Sequence, residues 1–166
     1  MSRLLLLLSL SALLTFPAMA RVRVSAGGSI GTQIYESSTD KIRLVGGLDG
    51  LLEFRALGIQ AAHEFTNRST GGSFGATHFN ATWRFFRGSP YSVVAGAGLT
   101  KVRFEAGRYE TDTWNAAVEL DRHFSKADLY LRVRHYDYSF GEFRGDSISA
   151  ASPAISAGVR FVFARP

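Results

Sequence analysis

The sequence contains no cysteine and only four prolines in 166 residues. Without cysteine the chain can form no disulfide framework and offers no site for a lipoprotein-type lipid anchor. Lysine is scarce as well, since it occurs only at Lys41, Lys101 and Lys126, and arginine carries most of the positive charge. Arginine suits paired, partly buried positions because its planar guanidinium binds a carboxylate through two hydrogen bonds. This bias indicates that many of the charges are internal.

The chain also lacks an apolar run long enough to cross a membrane as a helix. Its longest run, Leu4–Leu14, falls short of the ~20 residues that such a helix needs. The run follows Arg3 and precedes a small-residue cleavage pattern at Ala18–Ala20, so residues 1–20 are predicted to be a secretory signal peptide. The alternative is a retained anchor. Export, and basic residues that are scattered rather than clustered, argue against nucleic acid as a partner.

What the sequence has instead is alternation of apolar and polar residues. The length is that of one domain, predicted over residues 21–166. The pattern has a period of two almost throughout, which is typical of β-strands, and no stretch has a helical period. The stretches predicted as strands are Val22–Glu36, Lys41–Phe54, Gly58–Thr66, Ser73–Phe86, Tyr91–Ala106, Asp112–Phe124, Leu129–Phe140 and Ala154–Phe163.

Eight strands of this length favour a closed membrane barrel with its apolar face outward, because a tilted membrane strand needs about 9–11 residues. Short turns near Arg55, Arg87 and Ser125 alternate with longer loops near Ser37, Asn67, Gly107 and Gly141. In the fifth strand the alternation changes near Lys101, after which Val102 and Phe104 are the apolar positions. A β-bulge, or emergence of the strand from the membrane, would explain that change.

The polar face of these strands carries charges that a barrel would enclose. An eight-stranded barrel is just wide enough to be filled by side chains, so enclosed charges are expected to pair. Glu119 and Asp121 lie across a short turn from Arg132 and Arg134, and Arg23 and Glu64 share the inward phase. The predicted lumenal charge network comprises Arg43, Asp49, Glu53, Arg84, Glu119, Asp121, Arg132, Arg134 and Arg160.

Two segments carry a resemblance to a known family. Leu131–Tyr138, with the sequence LRVRHYDY, and Gly158–Phe163, a strand closing on an aromatic residue, resemble the small eight-stranded outer-membrane barrels typified by the OmpA transmembrane domain and the opacity-type proteins. The resemblance implies an outer-membrane location, insertion by the barrel-assembly machinery, a monomer in contact with lipid and lipopolysaccharide, and no cofactor. It predicts a structural or surface-binding role without an open pore.

An enzymatic alternative comes from barrels that remove acyl chains from lipid A with a His-x-Ser pair on a late strand. The nearest match here is His135-Tyr136-Asp137, where Asp137 replaces the nucleophile and the nearby carboxylates are Glu142 and Asp146. Ser139 lies too close to His135 along the strand to be a convincing nucleophile. No catalytic residue is therefore assigned. His63, His78 and His123 stand on separate strands without metal-ligand spacing and are interpreted as barrel or rim residues.

A second alternative is a periplasmic lipocalin-like barrel, which alternates in the same way but encloses its apolar face around a ligand. Trp83 and Trp114 on the apolar face suit either a lipid boundary or a ligand cavity. Glycines on the polar face favour the membrane barrel. The last loop is the candidate for outside contacts, since exposed loops carry binding functions, and its Arg144 suits lipopolysaccharide phosphates. The candidate loop residues are Glu142, Phe143, Arg144 and Asp146.

Overall fold

The computed structural model describes residues 22–34, 42–67, 73–104, 109–143, 146–150 and 153–164. At 33–34, 42–43, 66–67, 73, 138–143 and 146–150 only the backbone is described. The strands in these ranges are β1 (Val22–Ile34), β2 (Ile42–Phe54), β3 (Leu57–Asn67), β4 (Ser73–Arg87), β5 (Tyr91–Phe104), β6 (Tyr109–His123), β7 (Ala127–Tyr136), β8 (Tyr138–Phe143), β9 (Asp146–Ala150) and β10 (Ala154–Ala164).

Eight of the strands form a closed antiparallel barrel. Their order around it is β1, β10, β7, β6, β5, β4, β3 and β2, so the first and last strands pair and close the sheet. The eight predicted strands correspond to β1–β7 and β10, and the predicted fold class is confirmed. Among the described residues, no helix is long and apolar enough to cross a membrane.

The last loop differs from the prediction. The seventh strand was expected to continue to Phe140, with a loop after it, but β7 ends at Tyr136 and β8 pairs with β9 in a separate hairpin. Alternating residues on both sides of Arg144-Gly145 resemble two strands around a glycine-containing turn. Gly141–Ser152 had been predicted as the longest loop of the chain. The hairpin extends the sheet structure beyond the barrel at this end.

The barrel is apolar outside and polar inside, the reverse of a soluble barrel. Outward side chains in contact with the surroundings are Leu44, Leu48, Leu52, Leu57, Ile59, Phe79, Trp83, Leu99, Trp114, Val118, Leu120, Leu131, Val133, Ile155 and Phe161. Hydrocarbon surroundings suit such a surface, and closure pairs the strand edges that lipid could not satisfy. The lipocalin-like alternative is therefore wrong, because it requires the apolar face to line the interior.

The change of pattern in β5 marks the height at which the barrel polarity reverses. The pairing of β5 with β4 and β6 shows no register shift around Lys101, so the bulge explanation is wrong. Strand alternation instead continues with Val102 and Phe104 buried inside and Lys101 and Arg103 exposed outside. The inward apolar side chains pack in a cluster formed by Phe74, Ala76, Val102, Phe104, Tyr136 and Ala154, with Tyr109 against it.

Outside the same region, charged residues replace the apolar ones. Arg103 Nε lies 2.8 Å from Glu110 Oε1, and Lys101 Nζ lies 3.5 Å from Glu110 Oε2. An apolar interior with a charged exterior is the polarity of a water-soluble sheet. The start of β4, the end of β5 and the start of β6 therefore extend beyond the belt of outward apolar side chains, here called the apolar belt. This extension is called the pedestal, and β8 lies against β6 there.

Glycines allow close approach at two points of the barrel wall. A Cβ on Gly98 would overlap the backbone of Phe79 and Asn80 on β4, so β4 and β5 could not keep their spacing. A Cβ on Gly158 would meet the ring of Tyr130, 2.5 Å from its hydroxyl oxygen. The first glycine sets the distance between strands, and the second makes room for an aromatic ring in the lumen.

Candidate functional site in the barrel lumen

The centre of the lumen is crossed by two arginines held between two carboxylates. Asp49 on β2 and Glu119 on β6 lie on opposite walls, because four strand positions separate β2 from β6 in the barrel order. Arg160 donates from Nη1 and Nη2 to the two oxygens of Glu119, each at 2.5 Å, and from Nε to Asp49 at 2.7 Å. Arg132 donates to Glu119 at 2.9 Å and to Asp49 at 2.7 Å. The four charges bridge the lumen from wall to wall.

Tyr130 completes this central cluster. Its hydroxyl donates to Asp49 at 2.9 Å, and the guanidinium carbons of Arg132 and Arg160 lie 4.6 and 4.1 Å from its ring centroid. A desolvated cation over an aromatic face is attracted by the ring quadrupole. Because both arginines are fully buried, these contacts and the carboxylates replace the water that the charges lost.

A second charged cluster lies nearer the short turns, at the end of the barrel called here the turn end. Arg84 donates to both oxygens of Glu53 at 2.8 Å and to Asp121 at 2.7 Å. Arg23 lies 3.2 Å from Glu53 and also contacts Asp128. Residues from β1, β2, β4, β6 and β7 thus meet across this end of the lumen.

A third charged cluster lies between the central cluster and the apolar residues of the pedestal, toward the end of the barrel that carries the longer loops. Arg134 donates to Glu64, and the Tyr136 hydroxyl donates to the other oxygen of Glu64 at 3.2 Å. His78 is fully buried, with Nδ1 2.7 Å from Thr100 Oγ1 and Nε2 3.3 Å from Glu64. The His78 ring meets Tyr136 edge-on, with centroids 5.0 Å apart. The polar side chains of the lumen therefore contact the apolar cluster, which covers this end of the lumen.

Two small gaps lie between these clusters among the residues that the structure describes. One gap lies beside Ser29 and Val45, and another beside Gln60, Thr82 and Val94, each with room for about one water molecule. Among the described residues, no three His, Cys, Asp or Glu side chains are arranged to hold a metal ion. Chemically, the lumen is a stack of charge-assisted hydrogen bonds.

The structure gives a position for most of the residues that the sequence singled out. The residues whose side chains point into the lumen and join the clusters are Asp49, Glu53, Arg84, Glu119, Asp121, Arg132, Arg134 and Arg160. The side chain of Arg43 lies outside the described residues. So do the side chains of Glu142, Phe143 and Asp146, and the whole of Arg144. Arg134 contacts Glu64 rather than the carboxylates of β6.

Sequence reasoning missed Asp128 and His123 as members of the turn-end cluster. Asp128 was assigned to a turn, yet it is fully buried at the start of β7. Its signal was present in the sequence, because Asp128, Tyr130 and Arg132 continue one period-two series. His123 Nδ1 lies 2.7 Å from the Asp128 carboxylate.

The residues of the enzymatic alternative lie outside the lumen. His135 and Asp137 are exposed on the outer surface, with Nε2 of His135 3.4 Å from the Asp137 carboxylate. The side chain of Ser139 lies outside the described residues. A serine hydrolase needs a nucleophile within hydrogen-bond reach of its base, and the described contacts of His135 supply a carboxylate instead.

Comparison with known proteins supports the fold. No family model and no curated protein matches the sequence. Among solved structures, the chain is similar to Neisserial surface protein A, with a TM-score of 0.58 and 17% identity over 84% of this chain and 96% of that one. It is also similar to Ail, the attachment invasion locus protein of Yersinia pestis, with a TM-score of 0.53 and 12% identity over 86% and 97%.

A third similar structure is the N-terminal β-barrel domain of Pseudomonas aeruginosa OprF. Its TM-score is 0.51, with 14% identity over 84% of this chain and 97% of that domain. Sequence identities this low compare folds only. With strand number, closure, antiparallel order and polarity all agreeing, the chain has the fold of the small eight-stranded outer-membrane β-barrels.

Proposed function

We propose that this protein is an outer-membrane barrel with a closed lumen, which serves as a scaffold for surface segments and does not conduct solutes. The observation that carries the proposal is the bridge from Asp49 through Arg132 and Arg160 to Glu119, which spans the lumen between opposite walls. Moving any of these side chains aside would separate buried opposite charges, which costs several kcal/mol. Two further clusters lie above and below this bridge.

The pedestal supports the scaffold role. Its apolar interior, with Phe74 and Phe104 nearly fully buried, holds the ends of β4, β5 and β6 as a packed unit beyond the apolar belt. On this orientation the short turns face the periplasm, and the hairpin of β8 and β9 faces outward. A packed base reduces the conformational entropy that an outside contact must overcome.

Within this proposal, the segment around the hairpin contacts molecules outside the cell, with lipopolysaccharide phosphate as the partner of Arg144. Guanidinium groups form charge-assisted hydrogen bonds with phosphate. The folded protein is expected to bind lipopolysaccharide vesicles more weakly when Arg144 is replaced by alanine. Lys126→Ala, which removes an exposed cation at the turn end, is expected to leave the binding unchanged. Equal weakening in both variants, or in neither, would assign the binding to another surface.

Conductance in planar lipid bilayers tests the closed lumen. Folded wild-type protein is expected to give no single-channel steps. An open porin measured in the same bilayers shows that the assay can detect a conducting lumen. The folded state of each sample is checked by its faster migration when unboiled. Steady ion-conducting steps from the wild type would overturn the proposal.

A further inference from the structure

A serine, a histidine and an aspartate are aligned at the turn end of the lumen. Ser92 Oγ lies 2.8 Å from His123 Nε2, and His123 Nδ1 lies 2.7 Å from Asp128 Oδ1. Side chains in this order are those of a nucleophile, a general base and an orienting acid. We propose that Ser92, His123 and Asp128 form an acyl-transfer site at the turn-end mouth of the barrel, an activity separate from the scaffold role.

The contacts around Asp128 fix the imidazole in the tautomer that this chemistry needs. One carboxylate oxygen of Asp128 faces His123 Nδ1, while the other is held by Arg23. Nδ1 then carries the proton and donates a hydrogen bond to Asp128, which leaves the lone pair of Nε2 to accept from the Ser92 hydroxyl. In this tautomer Arg23 Nη2 and His123 Nδ1, which lie 3.4 Å apart, are both donors and therefore form no hydrogen bond.

The backbone also holds His123 in place beside Ser92. The His123 amide donates to the carbonyl of Pro90 at 2.7 Å, which ties the end of β6 to the turn before β5. Ser92 is the second residue of β5, directly after this turn. The base and the nucleophile therefore stand on two strands that are fixed to each other at the same level.

Arg84 places a positive charge next to the Ser92 hydroxyl. Its Nη1 donates both to Ser92 Oγ and to Asp121, while Nε and Nη2 donate to Glu53. A hydroxyl can accept from Arg84 and donate to His123 at the same time. A preorganised cation beside Oγ stabilises negative charge that develops there and on the adjacent oxyanion of a tetrahedral intermediate.

The exposure of Ser92 and His123 indicates the substrate class. Ser92 is only 1% exposed, whereas the His123 side chain is 24% exposed. A substrate must therefore reach Ser92 past the imidazole, and so deeply buried a hydroxyl favours a small or unbranched acyl ester over a peptide. Ser92 Oγ would attack the ester carbonyl carbon as its proton passes to His123 Nε2. The bond from that carbon to the alcohol oxygen then breaks, and Nε2 returns the proton to the departing alcohol; water releases the acyl group by the same steps.

The test uses the full protein folded in detergent micelles, with a fluorophosphonate probe and p-nitrophenyl acetate as a small ester. Ser92→Ala is expected to abolish both labelling and ester hydrolysis above background. Asp128→Asn is expected to slow hydrolysis roughly a hundredfold, the scale of general-base catalysis. Ser25→Ala is the matched control, because Ser25 is a buried lumenal serine whose hydroxyl meets no hydrogen-bond partner in the described part of the chain, and it is expected to change neither signal.

Peptide mapping of the labelled wild type keeps the test decisive if a variant fails to fold. A label on Ser92 that needs the folded protein supports the acyl-transfer site. An unlabelled Ser92 in folded wild type, or hydrolysis that survives in Ser92→Ala, would overturn it and leave a structural hydrogen-bond chain. Neither result changes the expected conductance, so the scaffold proposal stands or fails separately.

Discussion

Replacing Glu119 with alanine should destabilise the barrel strongly, because this one carboxylate serves two fully buried arginines. Both arginines would keep Asp49 at 2.7 Å, and Arg160 would also keep Asp121 at 3.6 Å, but each would lose its contact with Glu119. Breaking a buried ion pair costs about 3–5 kcal/mol, since the remaining charge is left without its partner. With a urea slope of about 2 kcal/mol per M, a loss of about 4 kcal/mol lowers the unfolding midpoint by about 2 M.

Glu110 provides the matched control for Glu119. It lies on the same strand, β6, but on the exposed outer face, where it pairs with Arg103 and Lys101. Exposed ion pairs contribute about 0–1 kcal/mol, so Glu110→Ala should leave the midpoint nearly unchanged. Glu142→Ala is also expected to have little effect. The measurement is urea unfolding of the three variants in lipid vesicles, followed by tryptophan fluorescence. Equal midpoints for Glu119→Ala and Glu110→Ala would refute the account of the lumen.

Three further substitutions, measured by the same unfolding experiment, test the lipid-facing surface, the distance between strands and the apolar cluster of the pedestal. Val118→Arg places a cation in the apolar belt and should cost about 2–4 kcal/mol, whereas Val118→Leu should cost little; equal stability would contradict a lipid-facing position. Gly98→Ala should cost about 1–3 kcal/mol because its Cβ meets backbone, and Gly50→Ala, whose nearest neighbour is 3.8 Å away, should be tolerated. Phe104→Ala should cost about 3–5 kcal/mol by leaving a cavity, and more than Phe79→Ala on the outer face; the reverse order would contradict the apolar cap.

The sequence predicts the barrel well because a single physical constraint acts on every strand. Each strand must show apolar residues to lipid and polar ones to the lumen, so the alternation of Leu129, Leu131 and Val133 against Tyr130 and Arg132 is visible without a structure. The same constraint predicts which charges enter the lumen.

Partners within the lumen are harder to predict, because they depend on strand stagger and on distance across the barrel. Glu119, Asp121, Arg132 and Arg134 were expected to share one lumenal plug. Arg132 does contact Glu119, whereas Arg134 contacts Glu64 on β3. Alternation places Glu64 on the inward face but cannot give its height relative to β7. The polarity reversal at Lys101 was ambiguous for a related reason, since a bulge and a change of surroundings produce the same pattern in one strand.

The alignment of Ser92, His123 and Asp128 had no local sequence signature. The three residues lie near the ends of three strands, and only the register between β5, β6 and β7 brings them together. Asp128 was moreover assigned to a turn by its neighbours Ser125 and Lys126. A short polar residue beside a turn is ambiguous until the phase of the following strand is known.

The most direct test of the central claim, a barrel with its apolar face in lipid, uses the two tryptophans. Trp83 and Trp114 are 56% and 74% exposed on the outer face, on β4 and β6. Trp83→Phe and Trp114→Phe each leave one tryptophan to report in vesicles of acyl-chain-brominated phospholipid. The account predicts strong quenching of both by bromine and little by aqueous iodide. Tryptophans that iodide quenches and brominated lipid does not would contradict it.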